Sequence, residues 1–178
     1  MIVSPKEVLD FWFEECEPSD WFKKSEAFDA EIRARFLETY EAIVSGDTAE
    51  WRKSAQGRLA EIIVLDQFAR NMFRDDAKAF AADELAVELA KEALPYWDEF
   101  SIQERSFVVM PFMHSESLQV HEWASKWFDE AGLERRKKYE AAHREIIERF
   151  GRYPHRNPVL GRTSTPEEEA FLKEHPGF

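Results

Sequence analysis

The sequence has few of the residues and patterns that would identify an activity. Its one cysteine, Cys16, excludes an internal disulfide, which fits a reducing cytosol, and we predict a cytoplasmic protein. The six glycines form no nucleotide-phosphate loop, and no His-Glu-x-x-His motif or cysteine pair predicts a metal site. No run of about 18 apolar residues predicts a membrane span. We therefore expect no metal, no cofactor and no membrane partner.

Positive charge is scarce and unevenly placed. The 24 Lys and Arg residues face 36 Asp and Glu residues, which gives a net charge of −12 and disfavours nucleic acid as a partner. Residues 149–162 carry four arginines and no acid, so the rest of the chain has a net charge of −12 − 4 = −16. A basic segment on an acidic body predicts either docking onto acidic helices or local capture of an anion.

Alternating apolar and polar residues, the pattern of a half-buried strand, are also missing. Nearly every segment has a period of 3.6 residues, and Ser4, Ser101 and Thr165 each begin a capping box. We predict an all-α fold of antiparallel helical hairpins stacked into a short superhelix, with 58–94 as the central hairpin. Residues 1–178 are expected to form one domain, with an irregular strap at 151–164 and a short C-terminal helix.

The segment 58–74 is predicted to be a buried helix, because apolar residues cover most of its circumference. Its second half nevertheless contains polar side chains that share a face at spacings of four and seven: Asp66, Gln67, Arg70, Asn71 and Arg74. Buried charges need partners. Two interpretations remain open, an internal ion-pair network and a face that grips a carboxylate or phosphate with arginine forks.

Two further groups of polar residues lie outside this helix. A proline break at Pro111 is followed by His114, Ser115 and Glu116, where Ser115 is expected to cap the next helix and His114 is a candidate for binding or acid–base chemistry. The strap adds further polar side chains on an irregular loop, a common place for functional residues. They are Arg152, His155, Arg156, Asn157 and Arg162.

Several separate motifs resemble one known family, in the same order along the chain. They are LDQFARNMFR, AFAAD, FVVMPFMHSES and FGRYPHRNPVLGRTSTPEEEAFL. The sequence is similar over almost its whole length to the bacterial domain-of-unknown-function family 924. The resemblance implies an all-helical fold like that of tetratricopeptide repeats, and it implies no activity. The matching signature positions are Asp66, Gln67, Arg70, Asn71, Arg74, Asp83, His114, Ser115, Glu116, Arg152, His155, Arg156, Asn157 and Arg162.

We predict that the strap closes a polar pocket against Arg70, Arg74 and His114, and that this pocket holds a small anionic ligand or the carboxylate end of a peptide. The expected ligand-binding residues are Arg58, Asp66, Gln67, Arg70, Asn71, Arg74, His114, Ser115, Arg152, His155, Arg156, Asn157 and Arg162. Two alternatives remain. One is a hydrolase-like enzyme with His114 or Glu116 as general acid–base and arginines that stabilise an anion. The other is a structural network in a protein-interaction module.

Overall fold

The computed structural model describes residues 1–177, which contain helices and turns and no strand. The all-α prediction is therefore confirmed. The first half of the chain forms α1 (Pro5–Asp10), α2 (Glu26–Ser45), α3 (Ala55–Ile63) and α4 (Ala69–Met72). The second half forms α5 (Asp83–Ala93), α6 (Ile102–Val108), α7 (Met110–His114), α8 (Leu118–Ala124), α9 (Glu134–Phe150), α10 (Asn157–Leu160) and α11 (Pro166–Glu174). Stacking of the tetratricopeptide-repeat type stays a prediction.

Local signals in the sequence set the starts of three helices. The capping boxes predicted at Ser4, Ser101 and Thr165 are all formed, each with the serine or threonine oxygen accepting the backbone N–H three residues on. Each box satisfies amides that a helix start otherwise leaves unpaired. Within residues 1–177 no helix combines the length and the apolar character needed to cross a bilayer.

The predicted central helix is interrupted by a π-helical turn, Val64–Phe68, which joins α3 to α4. Here the Ala69 N–H donates to the Val64 carbonyl, five residues back rather than four. The central helix formed by α3, the π turn and α4 contacts α1, α2, α5 and α6. Gly57 allows one close approach, because a Cβ there would lie 1.9 Å from the Trp51 carbonyl oxygen.

Two predicted boundaries differ from the structure. The second helix of the hairpin predicted over 58–94 was expected to cover 79–94. The chain instead forms a 3-10 turn, Ala77–Phe80, and α5 begins only at Asp83. The strap is more regular than expected, since it contains the 3-10 turn Pro154–Arg156 and then α10. Pro154 is the first residue of the 3-10 turn, and Pro158 is the second residue of α10. At these positions the backbone N–H that proline lacks would have no partner within the helix.

Three side chains depart from what their residue type and helical position would suggest. Arg136, in a run of four basic residues on α9, has a buried Nε, and its guanidinium lies 5.4 Å from the ring of Phe22. Trp123 and Tyr139 share the spacing of apolar residues on their helices and are nevertheless exposed. Helical periodicity fixes which residues share a face, but an aromatic residue at the edge of that face can turn either way.

Candidate functional site

The buried Asp66 carboxylate, in the π turn, binds the His114 imidazole at the end of α7. Asp66 Oδ1 lies 2.7 Å from His114 Nδ1, and Asp66 Oδ2 accepts a hydrogen bond of 2.7 Å from Gln67 Nε2. A carboxylate only accepts, so His114 Nδ1 carries the proton. Burial opposes ionisation of Asp66, but the His114 ring and the Arg70 guanidinium outweigh it and lower the pKa of Asp66 to about 2.

A second, partly buried carboxylate, Asp83, joins the central helix to the strap. Arg70 grips Asp83 with two hydrogen bonds of 2.9 and 3.0 Å and donates a third, of 2.9 Å, to the Asp66 carbonyl. Arg156 of the strap lies 3.5 Å from the same Asp83 carboxylate and donates a 2.8 Å hydrogen bond to the His114 carbonyl. The structure thus brings together Asp66, Arg70 and His114 with one strap arginine.

Glu116, predicted as a candidate acid–base residue, anchors the strap. Its carboxylate accepts two hydrogen bonds from Arg162, at 2.9 and 3.1 Å, and one of 2.7 Å from the Tyr153 backbone N–H. Burial opposes ionisation of Glu116, yet these donors lower its pKa. Ser115 Oγ accepts the Ser117 N–H at 3.1 Å, but the N-cap of α8 is Ser117 and no side chain caps this helix, so the capping role expected for Ser115 is wrong. Both side chains therefore have structural contacts.

The structure places other predicted residues away from this group. Arg74 forms two hydrogen bonds to Asp29 of α2, and Asn71 donates to the same carboxylate at 2.9 Å. Arg58 lies 3.5 Å from Glu92. The sequence reasoning placed Arg70 and Arg74 on one side of the pocket, but one arginine pairs with α5 and the other with α2. Asp29 was missed because nothing in its own helix distinguishes it.

Part of the strap folds back on the C-terminal helix instead of facing the central helix. Arg152 donates two hydrogen bonds, of 2.8 and 3.0 Å, to Glu168, and Asn157 donates one of 3.1 Å to the same residue. His155 Nε2 contacts the His175 carbonyl. Glu168 was predicted only as the last residue of a capping box, so its second role was not visible in the local pattern.

A cavity of about 460 Å³ lies beside His114 and Arg156. It is lined by Ala77, Phe80, Ala81, Asp83, Glu84, Val87, His114, Ser115, Glu116, Ser117, Arg156 and Leu160. A larger groove of about 590 Å³, between α1, α3 and α6, contains none of the predicted site residues. The strap therefore contributes one wall of the cavity that borders His114, whereas Arg70 lies behind Asp83 and does not line it.

Behind the cavity lies a buried polar group that the sequence reasoning missed. His121 Nδ1 is 2.5 Å from Glu140, and its Nε2 is 2.6 Å from the Ser115 carbonyl. The Tyr153 hydroxyl donates a 2.5 Å hydrogen bond to the Met113 carbonyl. These contacts fix the backbone on both sides of His114. The spacing of His121 and Glu140 on separate helices gave no sequence signal for their pairing.

Acidification is expected to destabilise the fold in two stages, the first through His143 on α9 together with His114, because burial lowers the pKa of both histidines. Burial, with a smaller contribution from His114, lowers the pKa of His143 to about 3. As pH falls below about 6.5, His143 is protonated in the unfolded chain but stays neutral in the folded chain. The free energy of unfolding therefore falls by up to about 1.4 kcal/mol per pH unit. Asp66 adds a second loss from about pH 4 down to its folded pKa of about 2.

Urea unfolding between pH 7 and 4 tests the first stage. His143→Gln should flatten the dependence on pH, whereas His175→Gln, a change at an exposed histidine, should leave it as in the unmodified protein. Equal slopes in His143→Gln and in the unmodified chain would contradict the assignment.

Comparisons with known proteins give a family and a fold without an activity. The family model described as a bacterial protein of unknown function, DUF924, matches residues 8–176. The solved structure of a protein of unknown function, ATU0120 from Agrobacterium tumefaciens, is similar, with 35% sequence identity and a TM-score of 0.87 over 96% of this chain and 97% of that one. Among curated proteins none matches. The chain belongs to the bacterial DUF924 family.

Proposed function

We propose that the protein binds a small organic ligand through a carboxylate or phosphate group in the cavity beside His114. Arg156 would bind the anionic group, and His114 Nε2 would accept a hydrogen bond from the ligand. The observation that carries this proposal is the environment of Arg156, which lines the cavity and has no close carboxylate partner of its own among residues 1–177.

The contrast with the other predicted arginines is clear in their distances. Arg70, Arg74, Arg152 and Arg162 each grip one carboxylate through two hydrogen bonds. Arg156 reaches only 3.5 Å from Asp83 and 3.9 Å from Glu116, and both of these acids are already held by another arginine. An anion in the cavity would compensate the part of the Arg156 positive charge that these two shared acids leave unbalanced.

The surroundings of Arg156 hold its guanidinium in place. It lies 4.4 Å from the Phe80 ring and 4.8 Å from the Tyr153 ring, and its side chain is only 11% exposed. Burial and the neighbouring charge of Arg70 lower the pKa of Arg156, against the opposing effect of Asp83 and Glu116. Arginine fixed between rings binds carboxylate and phosphate with little loss of side-chain entropy.

The cavity itself suits a small molecule. Its volume of about 460 Å³ lies within the roughly 300–1,000 Å³ typical of ligand pockets. Apolar side chains from α5 and the strap line it together with the polar groups, as in most such pockets. The start of α5 also borders the cavity, but its first turn carries Asp83 and Glu84, so the attraction for an anion comes from Arg156 rather than from this helix start.

A structural role explains the four bidentate arginines, which join helices far apart in the chain. That interpretation covers Arg70, Arg74, Arg152 and Arg162, and it also accounts for the hydrogen bond from Arg156 to the His114 carbonyl, but it gives no reason for Arg156 to line a cavity without a bidentate carboxylate partner. The two interpretations are compatible, since a network that fixes the cavity walls also fixes the ligand groups.

A thermal-shift screen with phosphate, acetate, succinate and AMP tests the proposal. At a concentration of 100 times its dissociation constant, a bound compound should stabilise the fold by about 2.7 kcal/mol. Arg156→Gln should abolish that stabilisation, because the neutral side chain no longer attracts the anion.

The matched control is Arg152→Gln, which removes a partly buried arginine that does not line the cavity. This variant should respond to the same compound as the unmodified protein does. Stabilisation that survives in Arg156→Gln, or the absence of any stabilising compound, would count against the ligand site.

A further inference from the structure

We propose that His114 is a general base, held in its reactive form by Asp66, which takes a proton from water bound beside the ligand in the cavity. The inference rests on the proposed ligand site and adds a reaction to it. Its basis is the short contact of 2.7 Å between His114 Nδ1 and the buried Asp66 carboxylate. This contact leaves the other ring nitrogen, Nε2, with a lone pair.

The Nε2 atom is the part of the ring without an assigned contact. Among residues 1–177 no side chain or backbone group lies within hydrogen-bond distance of it, although the ring is only 13% exposed. His114 lines the cavity. A largely buried imidazole normally uses both nitrogens, so an unpaired nitrogen in a residue that lines the cavity leaves a position for an external partner.

The tautomer is fixed by Asp66. Asp66 Oδ1 accepts the Nδ1 proton, while Gln67 Nε2 donates to Asp66 Oδ2 and orients the carboxylate. The backbone that carries the ring is held separately, because Arg156 and Tyr153 donate hydrogen bonds to the carbonyls of His114 and Met113. Histidine held this way by a carboxylate is the arrangement of base and orienting group used in hydrolases.

The charges around the ring keep it neutral at physiological pH. Burial and the positive charge of Arg70 lower the pKa of His114, against the opposing effect of Asp66 and Asp83. From α9, the His143 ring lies 6.3 Å away. A neutral imidazole is the form that accepts protons, so the base is present at pH 7 without activation.

The backbone at Asp66 and Gln67 supplies independent support. Both residues lie in the π turn within the central helix. Such turns occur frequently at functional sites, because they present side chains that a regular helix would place elsewhere. A second π turn, Phe11–Glu15, places Phe11 and Trp12 in the core, so the turn supports a site only together with the polar residues it carries. Here the turn supplies the carboxylate and the amide that orients it.

The absence of a side-chain nucleophile at Nε2 defines the class of reaction. No hydroxyl or thiol in residues 1–177 hydrogen-bonds to this nitrogen, so the base acts on water rather than on a serine. In ester hydrolysis, the water oxygen bonds to the carbonyl carbon while Nε2 takes a water proton. The carbon–oxygen ester bond then breaks, and the leaving oxygen receives the proton from Nε2 or departs as an anion.

Hydrolysis of 4-nitrophenyl acetate tests the base without requiring the anion-binding group. His114→Gln should lower the rate at pH 7 by about 100-fold, the lower end of what a general base contributes. Asp66→Asn should do the same. When the oxygen of the new amide turns toward Gln67, the NH₂ group of that amide faces Nδ1 and forces the ring proton onto Nε2.

The control is Asp29→Asn, which makes the same chemical change in a carboxylate that binds Arg74 and Asn71, outside the cavity. Its rate should equal that of the unmodified protein. Unchanged rates in both His114→Gln and Asp66→Asn would overturn the proposal, as would an equal loss in the control.

Nitrogen NMR of the unmodified protein gives a readout that does not depend on variants folding. At pH 7 the Nε2 of His114 should show the shift of an unprotonated ring nitrogen, and Nδ1 that of a protonated one. A protonated Nε2 would overturn the proposal. Because this measurement uses the free protein, its outcome is independent of the ligand screen. A protonated Nε2 would overturn the general base while leaving the ligand site in place, and a failed ligand screen would leave the tautomer unaffected.

Discussion

Asp83→Ala is expected to lower the free energy of unfolding by about 3–5 kcal/mol, because it leaves largely buried positive charge without its carboxylate. Asp83 accepts two hydrogen bonds from Arg70 and is also the nearest carboxylate to Arg156. Two cations would lose their compensation in one substitution. The loss should therefore exceed that of an exposed ion pair, which is typically below about 1 kcal/mol.

Urea denaturation of Asp83→Ala and of Glu84→Ala measures this effect. The neighbouring Glu84 is exposed, and its substitution should change stability by no more than about 0.5 kcal/mol. Adding Arg70→Met to Asp83→Ala should recover part of the loss, since the second change removes the uncompensated charge. Equal losses in the two single variants would show that Asp83 contributes little through its arginines.

Phe68→Ala is the second substitution with a large expected effect, a loss of about 3–5 kcal/mol. The Phe68 side chain is fully buried, and its ring centroid lies 4.7 Å from that of Phe36, 5.4 Å from Trp12 and 5.7 Å from Phe11. Phe11 and Trp12 lie in the π turn Phe11–Glu15 that follows α1, and Phe36 lies in α2, so these rings join both segments to the central helix. Alanine would leave a cavity that three rigid aromatic side chains cannot fill.

The comparison for Phe68→Ala is Phe22→Ala, at a ring that is 59% exposed. That substitution removes the same atoms with little burial and should cost much less. Chemical denaturation should show a lower midpoint for Phe68→Ala with a similar dependence on urea concentration. A loss near that of Phe22→Ala would mean that the core closes around the missing ring.

The features that the sequence predicted well are local. The capping boxes at Ser4, Ser101 and Thr165 depend on residues three apart, and the burial of the central helix follows from its own composition. Local patterns also indicated that Arg70 needs a partner. They could not identify Asp83, because that choice depends on which helices meet in space.

Long-range pairing accounts for most of what was not predicted in the candidate site. Arg74 and Asp29 are 45 residues apart, and Arg162 and Glu116 are 46 apart. A spacing of four residues correctly places Arg70 near Asp66 on one helix. It does not distinguish an arginine that lines a cavity from one that is paired with a single carboxylate through two hydrogen bonds, and that distinction separates Arg156 from Arg70, Arg74, Arg152 and Arg162.

Because of the π turn Val64–Phe68, the number of residues in the central helix determines which way the side chains of α4 point. One extra residue in a helical turn changes the direction of every later side chain by about 100° around the axis. Deleting a residue there would restore a regular helix and rotate α4 relative to α3, so that Arg70 and Arg74 would leave α5 and α2. A surface loop can lose or gain a residue without moving its neighbours, but this buried segment cannot. We therefore expect insertions and deletions in the family to occur outside it.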